Sequence, residues 1–251
     1  MLSTPVFAAE PITVNSSDVQ TAVVELYTSE GCSSCPPADK WLARLGKSAN
    51  GSANKTGDKE IDVLALAFHV DYWDYIGWKD RFGSPAYTSR QRLLGANNSQ
   101  RTIYTPEFFV NGIEARGSNT ILDKIQSSNQ QRTRINLKLT VSKVDNQLLL
   151  HVASMPDPTA NERLHHRYFV YENNLSTDVK RGENSGELLK HQQVVRYMSP
   201  AQSLKPQNSH QIKISPDWNP QNVGVAVLVT APGNAQYVQA VHTKVASLLS
   251  N

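Results

Sequence analysis

Val24-Glu25-Leu26-Tyr27-Thr28-Ser29-Glu30-Gly31-Cys32-Ser33-Ser34-Cys35-Pro36-Pro37-Ala38-Asp39 is the stretch on which the fold turns. Residues 22–28 form an apolar run that reads as a strand, and Ser29-Glu30-Gly31 reads as a turn. A helical stretch follows from about Ser33 to Leu45, so the two cysteines of the chain stand at a strand-to-helix junction. Cys32-Ser33-Ser34-Cys35 is a CxxC, which alone is compatible with a redox dithiol, half of a zinc site, or chance. No second CxxC exists and no His lies within a few residues, so a four-ligand zinc site would need distant ligands such as His69. At a helix mouth the first Cys sits at or next to the N-cap, where orphan amides and the positive end of the macrodipole stabilise a thiolate. The second lies one turn inside and is shielded. Cys32 is therefore the expected nucleophile and Cys35 the resolving thiol. Pro36 and Pro37 then fall at the fourth and fifth helical positions, where their missing amides disturb only the first intrahelical bonds. Lys40 reads as a solvated surface charge.

Outward from this junction, 47–59 reads as a solvated loop and Ile61 to Phe68 as a strand buried on both faces. His69 to Arg101 then forms an aromatic-rich insertion, with Tyr72, Trp73, Tyr75, Trp78, Phe82 and Tyr87 and a helix expected from Pro85 to Leu94. Thr105-Pro106 follows, directly before a hairpin expected at 107–116 around Asn111-Gly112 and a helix at 118–130. The residue before a proline is pushed to extended geometry, and a cis bond is expected here, laying the Thr105 backbone antiparallel to a substrate peptide beside the sulfurs. From Arg134 the periodicity changes to two, as in Ile135, Leu137, Leu139 and Val141, and short strand candidates separated by Pro, Asn and Gly clusters continue to the C-terminus. Lys190 to Tyr197 reads as one of them. The pattern predicts an N-terminal arm at 1–19, an α/β domain at 20–131 and an all-β sandwich-like domain at 134–251.

The order of strand, Cys32-Ser33-Ser34-Cys35, buried strand, Thr105-Pro106, Asn111-Gly112 hairpin and closing helix resembles the thioredoxin fold family over residues 20–131. More closely, the opening stretch, His69-Val70-Asp71-Tyr72-Trp73 and Arg181-Gly182-Glu183-Asn184 resemble a family of secreted bacterial thioredoxin-like proteins catalogued as a domain of unknown function. The resemblance implies an α/β thioredoxin-like domain with an aromatic insertion, an exported location, and no assigned substrate. It departs from the thioredoxin pattern in having Gly31 before the first Cys and Ser-Ser between the pair, which leaves the potential open. Glu25 stands roughly where the family keeps a buried carboxylate that assists proton transfer to the resolving thiol, one residue farther from the CxxC. It is a candidate proton carrier or a satisfied polar residue of the strand.

Of the remaining candidates, His69 could bond a thiol or join the cysteines as a metal ligand, or be held structurally by Asp71 or backbone. Trp73 and Trp78, with Thr105 and Pro106, are candidate substrate-binding residues, or the indoles cover the sheet edge. Arg181 to Glu187 and His191 read as a hydrogen-bonded loop rather than a second active centre. The composition, 39% hydrophobic and 19% charged over 251 residues, is that of a folded chain, and its net charge of +3 is scattered, a poor footprint for nucleic acid. No apolar run reaches membrane-helix length. Val6-Phe7-Ala8-Ala9 resembles the end of a secretory signal, which points to a periplasmic or secreted protein. The function expected is thiol–disulfide exchange on an exported protein or peptide without a cofactor. The alternatives are copper handling through Cys32 and Cys35, with or without His69, since soft thiolates suit Cu(I), and a non-catalytic module with a structural disulfide.

Overall fold

The computed structural model describes residues 9–48, 55–56, 59–156, 163–234 and 236–249; the signal-like residues 6–8 and most of the expected 47–59 loop lie outside them. Strands β1 (Ile12–Asn15) and β2 (Ala22–Thr28) precede α1 (Pro36–Ser48). The two-residue strands β3 (Lys55–Thr56) and β4 (Lys59–Glu60) pair with each other, and β5 (Val63–His69) leads through a 3-10 turn at Asp74–Ile76 into α2 (Pro85–Asn97). Then come β6 (Glu107–Val110), β7 (Ile113–Glu114) and α3 (Ser118–Asn129). The remainder is almost entirely strand: β8 (Ile135–Val144), β9 (Gln147–Pro156), β10 (His165–Glu172), β11 (Leu175–Asp178), β12 (Leu188–His191), β13 (Val194–Met198), β14 (Gln202–Ser203), β15 (Gln207–Lys213), β16 (Val223–Thr230) and β17 (Tyr237–Lys244), closed by the short α4 (Ala246–Leu249).

Strand pairing corrects the expected fold class. An α/β thioredoxin-like domain followed by a separate all-β sandwich is not what this chain builds. The structure is mostly β, with several sheets and few helices, and its main sheet of nine strands runs β17-β16-β10-β13-β5-β2-β6-β7, with β14 on β10. Residues from both sides of the expected boundary thus share one sheet. β2 and β5 are parallel, β13 joins β5 in parallel at Val194 opposite Ala67, and β6 lies antiparallel on β2. Local periodicity reports that a segment is a strand and which side is apolar, but not which strand it pairs with, so the seam between β5 and β13 was invisible to it. A second sheet, β1-β8-β9-β15, closes a sandwich over the C-terminal part of the first, burying Leu137, Leu139, Leu150 and Val152 against Tyr168, Val225, Val227 and Val241.

Several local expectations hold. The Asn111-Gly112 hairpin forms between β6 and β7, with φ of 49° and 81° at its two central residues, as a type I′ turn requires. Period two along β2 sends Ala22, Val24 and Leu26 to the face covered by α1 and α3, through Leu42, Leu45, Ile121 and Ile125. Val23 and Tyr27 take the other face, which carries α2 residues Tyr87 and Leu94.

Glu25 belongs to this second face and is fully buried. Its carboxylate accepts bonds from Arg90 Nε and Nη2 of α2 at 2.8 and 2.7 Å, from Tyr27 Oη at 2.8 Å and from Tyr237 Oη of β17 at 2.5 Å. Burial opposes its charge, but the Arg90 guanidinium and the Tyr237 and Tyr27 hydroxyls hold the carboxyl below its usual range. The pair ties β2, α2 and β17 together. Breaking a buried pair leaves an uncompensated charge, which costs about 3–5 kcal/mol. Arg90→Met is therefore expected to lower the urea midpoint by an equivalent amount with an unchanged slope, and Glu25→Gln placed on top of it should recover part of the loss. Because the Glu25 pKa is lowered, its contribution is present above the unfolded carboxylate pKa and is lost as pH falls through the folded one. Urea titrations of the single and double variants at neutral pH check this; a double variant less stable than Arg90→Met would contradict it.

Candidate functional site

The chain leaves β2 at Thr28 and turns through Ser29-Glu30-Gly31, with the Cys32 amide donating to Ser29 O at 3.1 Å and the Cys35 amide to Cys32 O at 3.2 Å. Cys32 and Cys35 form a disulfide. The amides of Ala38 and Asp39 both donate to Cys35 O, so Cys35 is the N-cap of α1 and the two prolines stand at its first and second positions, where a missing N–H is least costly. This corrects the expected placing of Cys32 at the cap and of the prolines a turn inside. Ser33 and Ser34 are exposed, whereas Cys32 and Cys35 keep only 1% and 0% of their surface.

Three remote segments close around this turn. From the aromatic insertion, Trp73 packs on Gly31, where a Cβ would come within 3.1 Å of Trp73 Cβ, and its indole Nε1 donates to Thr105 Oγ1 at 2.7 Å. It so links the approach to Cys32 with the Thr105–Pro106 bond, which is cis. Trp78 Nε1 donates to Glu30 Oε2 at 2.8 Å, and Gly182, in a left-handed conformation with φ of 78°, sits against Trp78. From the far half of the chain, Asn184 Nδ2 donates to Glu30 O at 2.9 Å and to Cys32 O at 3.0 Å, while Glu183 Oε2 accepts from Ser33 N at 3.1 Å and Ser33 Oγ at 2.7 Å.

Beneath the turn lies a buried group of charges. His69 Nδ1 is 2.7 Å from Asp80 Oδ2, the same oxygen that accepts the Glu30 amide at 2.8 Å. Glu30 Oε1 lies 3.2 Å from His191 Nε2, and the two imidazoles meet edge to face at 5.0 Å. Burial alone would depress His69, but the Asp80 carboxylate, with Asp39 and Glu30 behind it, holds its pKa up. Burial would raise Asp80, yet His69 and the amides of Glu30 and Phe82 hold it down. Asp39, partly exposed on the first turn of α1, is pushed up by desolvation against the pull of His69 and His191. Beside these groups a cleft of about 610 Å3 opens between α1 and β12, lined by Ser33, Pro36, Asp39, Glu183, Leu188 and His191 among others. A second cleft, of about 440 Å3, is lined by Pro106 with Tyr104, Phe108 and Arg116.

A family model described as a protein of unknown function (DUF1223) matches residues 23–230. The chain belongs to the DUF1223 family. Among solved structures, protein AGR_C_4864 from Agrobacterium tumefaciens is similar at a TM-score of 0.64 and 22% identity, over 90% of this chain and 95% of that one. HBP35 of Porphyromonas gingivalis is similar at a TM-score of 0.67 and 16% identity, over 92% of this chain and 76% of that one. These likenesses are of fold. No curated protein matches.

Within this DUF1223 chain the residues expected at the site part company. Cys32, Cys35, Trp73, Trp78, Thr105 and Pro106 are connected through the contacts above, and both indole N–H groups are spent on protein acceptors. Glu25 is not with them: strand alternation puts it on the α2 face, away from the face that carries α1, and Arg90 neutralises it. His69 is held by Asp80, not Asp71, whose carboxylate accepts from Thr88 Oγ1. Among the described residues no cluster of three or more His, Cys, Asp and Glu could hold a metal ion, and no helix is long and apolar enough to cross a membrane. Glu30, Asp39, Asp80, Glu183 and Asn184 were missed as site residues. The one signal for the last two was Arg181-Gly182-Glu183-Asn184, legible as a motif though not as a neighbour of the cysteines.

The His69–Asp80 pair has a pH signature. A raised His69 pKa contributes stability that is complete below the unfolded value of about 6.5 and is lost as pH rises through the folded one. A lowered Asp80 pKa contributes above the unfolded value of about 3.9 and is lost on acidification through the folded one. The stability difference between the parent and His69→Gln should be widest between about pH 4 and 6.5 and shrink at higher pH. Melting temperatures of both proteins across that range and up to pH 9 check it; a gap that stays constant would show that Asp80, Asp39, Glu30 and His191 do not together govern the His69 charge.

Proposed function

We propose that this protein carries out thiol–disulfide exchange on a protein or peptide in an oxidising compartment, periplasmic or extracellular. The observation that carries the reading is the Cys32–Cys35 disulfide itself, closed at the mouth of α1, with Cys35 capping the helix and Cys32 one turn outside it. A disulfide in a chain with no other cysteine fits an oxidising space. In the oxidising direction a substrate thiolate attacks Cys32 Sγ, the bond to Cys35 breaks, and Cys35 leaves as a thiolate that takes up a proton. A second substrate thiolate then attacks its own sulfur in the mixed disulfide and releases Cys32, so the substrate loses two electrons and the pair gains them. The reverse sequence reduces a substrate disulfide. Thr105, Pro106 with the cleft it lines, and the cleft between α1 and β12 offer the surface along which a peptide would lie, and Trp73 and Trp78 serve as buttresses behind the turn rather than as an open wall.

Burial of both cysteines favours a second reading, a structural disulfide in a non-catalytic interaction module. One experiment separates the two. Reduced Cys35→Ser, offered oxidised glutathione, should accumulate a mixed disulfide on Cys32 at least about tenfold faster than reduced Cys32→Ser does on Cys35, because the capping sulfur is shielded. Mass-spectrometric mapping reads the adducts. Equal rates overturn the assignment of roles, and a parent disulfide that yields to dithiothreitol only in denaturant supports the structural reading.

A further inference from the structure

Several of the backbone donors around Cys32 are absent or already engaged. A thiolate there is ordinarily stabilised by free amides of the first helical turn. In this chain Pro36 and Pro37 have no N–H, and the amides of Ala38 and Asp39 both point to Cys35 O. The Cys35 amide is bonded to Cys32 O, and the Cys32 amide to Ser29 O. The amide of Ser33, next to Cys32, is held by Glu183. A single carboxylate oxygen, Glu183 Oε2, accepts both Ser33 N at 3.1 Å and Ser33 Oγ at 2.7 Å across 150 positions of sequence. Ser34 Oγ, 3.4 Å from Cys32 Sγ, is the contact left to that sulfur among these groups.

The contact is built, not incidental. Glu183 lies between Gly182, whose φ of 78° seats it on Trp78, and Asn184, which is buried and bonded to both Glu30 O and Cys32 O. The loop is thereby anchored on each side of the carboxylate. We infer that Glu183 sets the redox poise of the Cys32–Cys35 pair, holding it toward the disulfide by placing a fixed negative charge on the Ser33 amide beside Cys32. The inference rests on the exchange reading above and makes Glu183 a positioning residue, since it touches Ser33 and not sulfur. The donation from Ser33 also holds the Glu183 carboxyl below its usual range, so the charge is present throughout the neutral range.

The sign follows from electrostatics. A carboxylate next to Cys32 disfavours its thiolate, raises the thiol pKa and destabilises the reduced pair relative to the disulfide, so removing the charge should make the pair more oxidising. The charge is exposed, and exposed charges act weakly, so the effect is modest. Glu183→Gln keeps an acceptor oxygen and removes the charge. Equilibrated with glutathione buffers, it should shift the equilibrium about threefold toward the dithiol, which at 29.6 mV per tenfold is about 14 mV. The pH midpoint for alkylation of Cys32 should fall with it. Both shifts should fade in 1 M salt, where the Debye length is about 3 Å, and Glu183→Ala should move the equilibrium in the same direction by a similar factor. A reversible parent pair with Glu183→Gln indistinguishable from it, or a shift seen only in Glu183→Ala, overturns this inference and leaves exchange intact. A parent pair that reduces only in denaturant overturns both.

Discussion

Ala67 N donates to Gln193 O at 2.8 Å, and Val194 stands opposite Ala67 in parallel register. This short seam between β5 and β13 is the pairing on which the rest of the molecule depends. β5 is buried along its whole length, so it needs cover on both faces and a partner on each edge. The N-terminal part of the chain supplies β2 on one edge, and β13 supplies the other, extending one sheet from β7 to β17. The same seam decides the site. β13 enters the sheet directly after the β11–β12 hairpin, so that hairpin and the 180–187 loop are delivered to the end of β2 and β5 from which the CxxC turn departs. His191, Glu183 and Asn184 reach the cysteines because Val194 reaches Ala67.

Two of the groups of buried charge lie by β2 and are partnered differently. On the α2 face Glu25 accepts four bonds and is matched by Arg90, with the aromatic rings of Phe68 and Phe169 within 5.7 and 5.8 Å of the guanidinium. This is a charge that joins elements. Under the CxxC turn His69 Nε2 and His191 Nδ1 have no partner although both side chains are buried, as Arg90 Nη1 has none on the α2 face, and Asp39 is pushed toward protonation.

Legibility in the sequence followed the range of each interaction. Strand β2, the buried strand β5, the Asn111-Gly112 hairpin and the helices α2 and α3 were readable, because alternation, turn residues and caps act over a few positions. The pairing of β13 with β5 was not, and with it went the fold class. The stretch from Lys190 to Tyr197 read as one strand, but Gln193 adopts φ of 58° and its side chain occupies the space a Cβ on Gly46 of α1 would need. That break separates β12 from β13, leaves His191 in the site and sends Val194 into the main sheet. Of the two readings of Glu25, a satisfied polar residue is the one its four bonds match, and the proton-carrier reading failed to weigh strand alternation. The distance of Glu25 along the chain from the cysteines placed it near them, whereas the period of two placed it behind the sheet.

A CxxC at a strand-to-helix turn carries only half of an electrostatic argument, since the helix can stabilise a thiolate only through amides that are still free. Here two of the first-turn residues are prolines, the next two amides serve the cap, and a carboxylate brought from 150 positions away holds the Ser33 amide. Each of these features alone is an ordinary way to finish a helix or seat a loop. Together they remove donors from one sulfur while Asn184 fixes the carbonyl of the same residue, so the geometry of the turn and the electrostatics of its thiol are controlled by the same loop. The motif therefore takes its character from residues that stand 150 and 152 positions from it in sequence. Both cysteines are buried, and the cleft between α1 and β12 is lined in part by that same loop, through Glu183, Asn184 and Ser185.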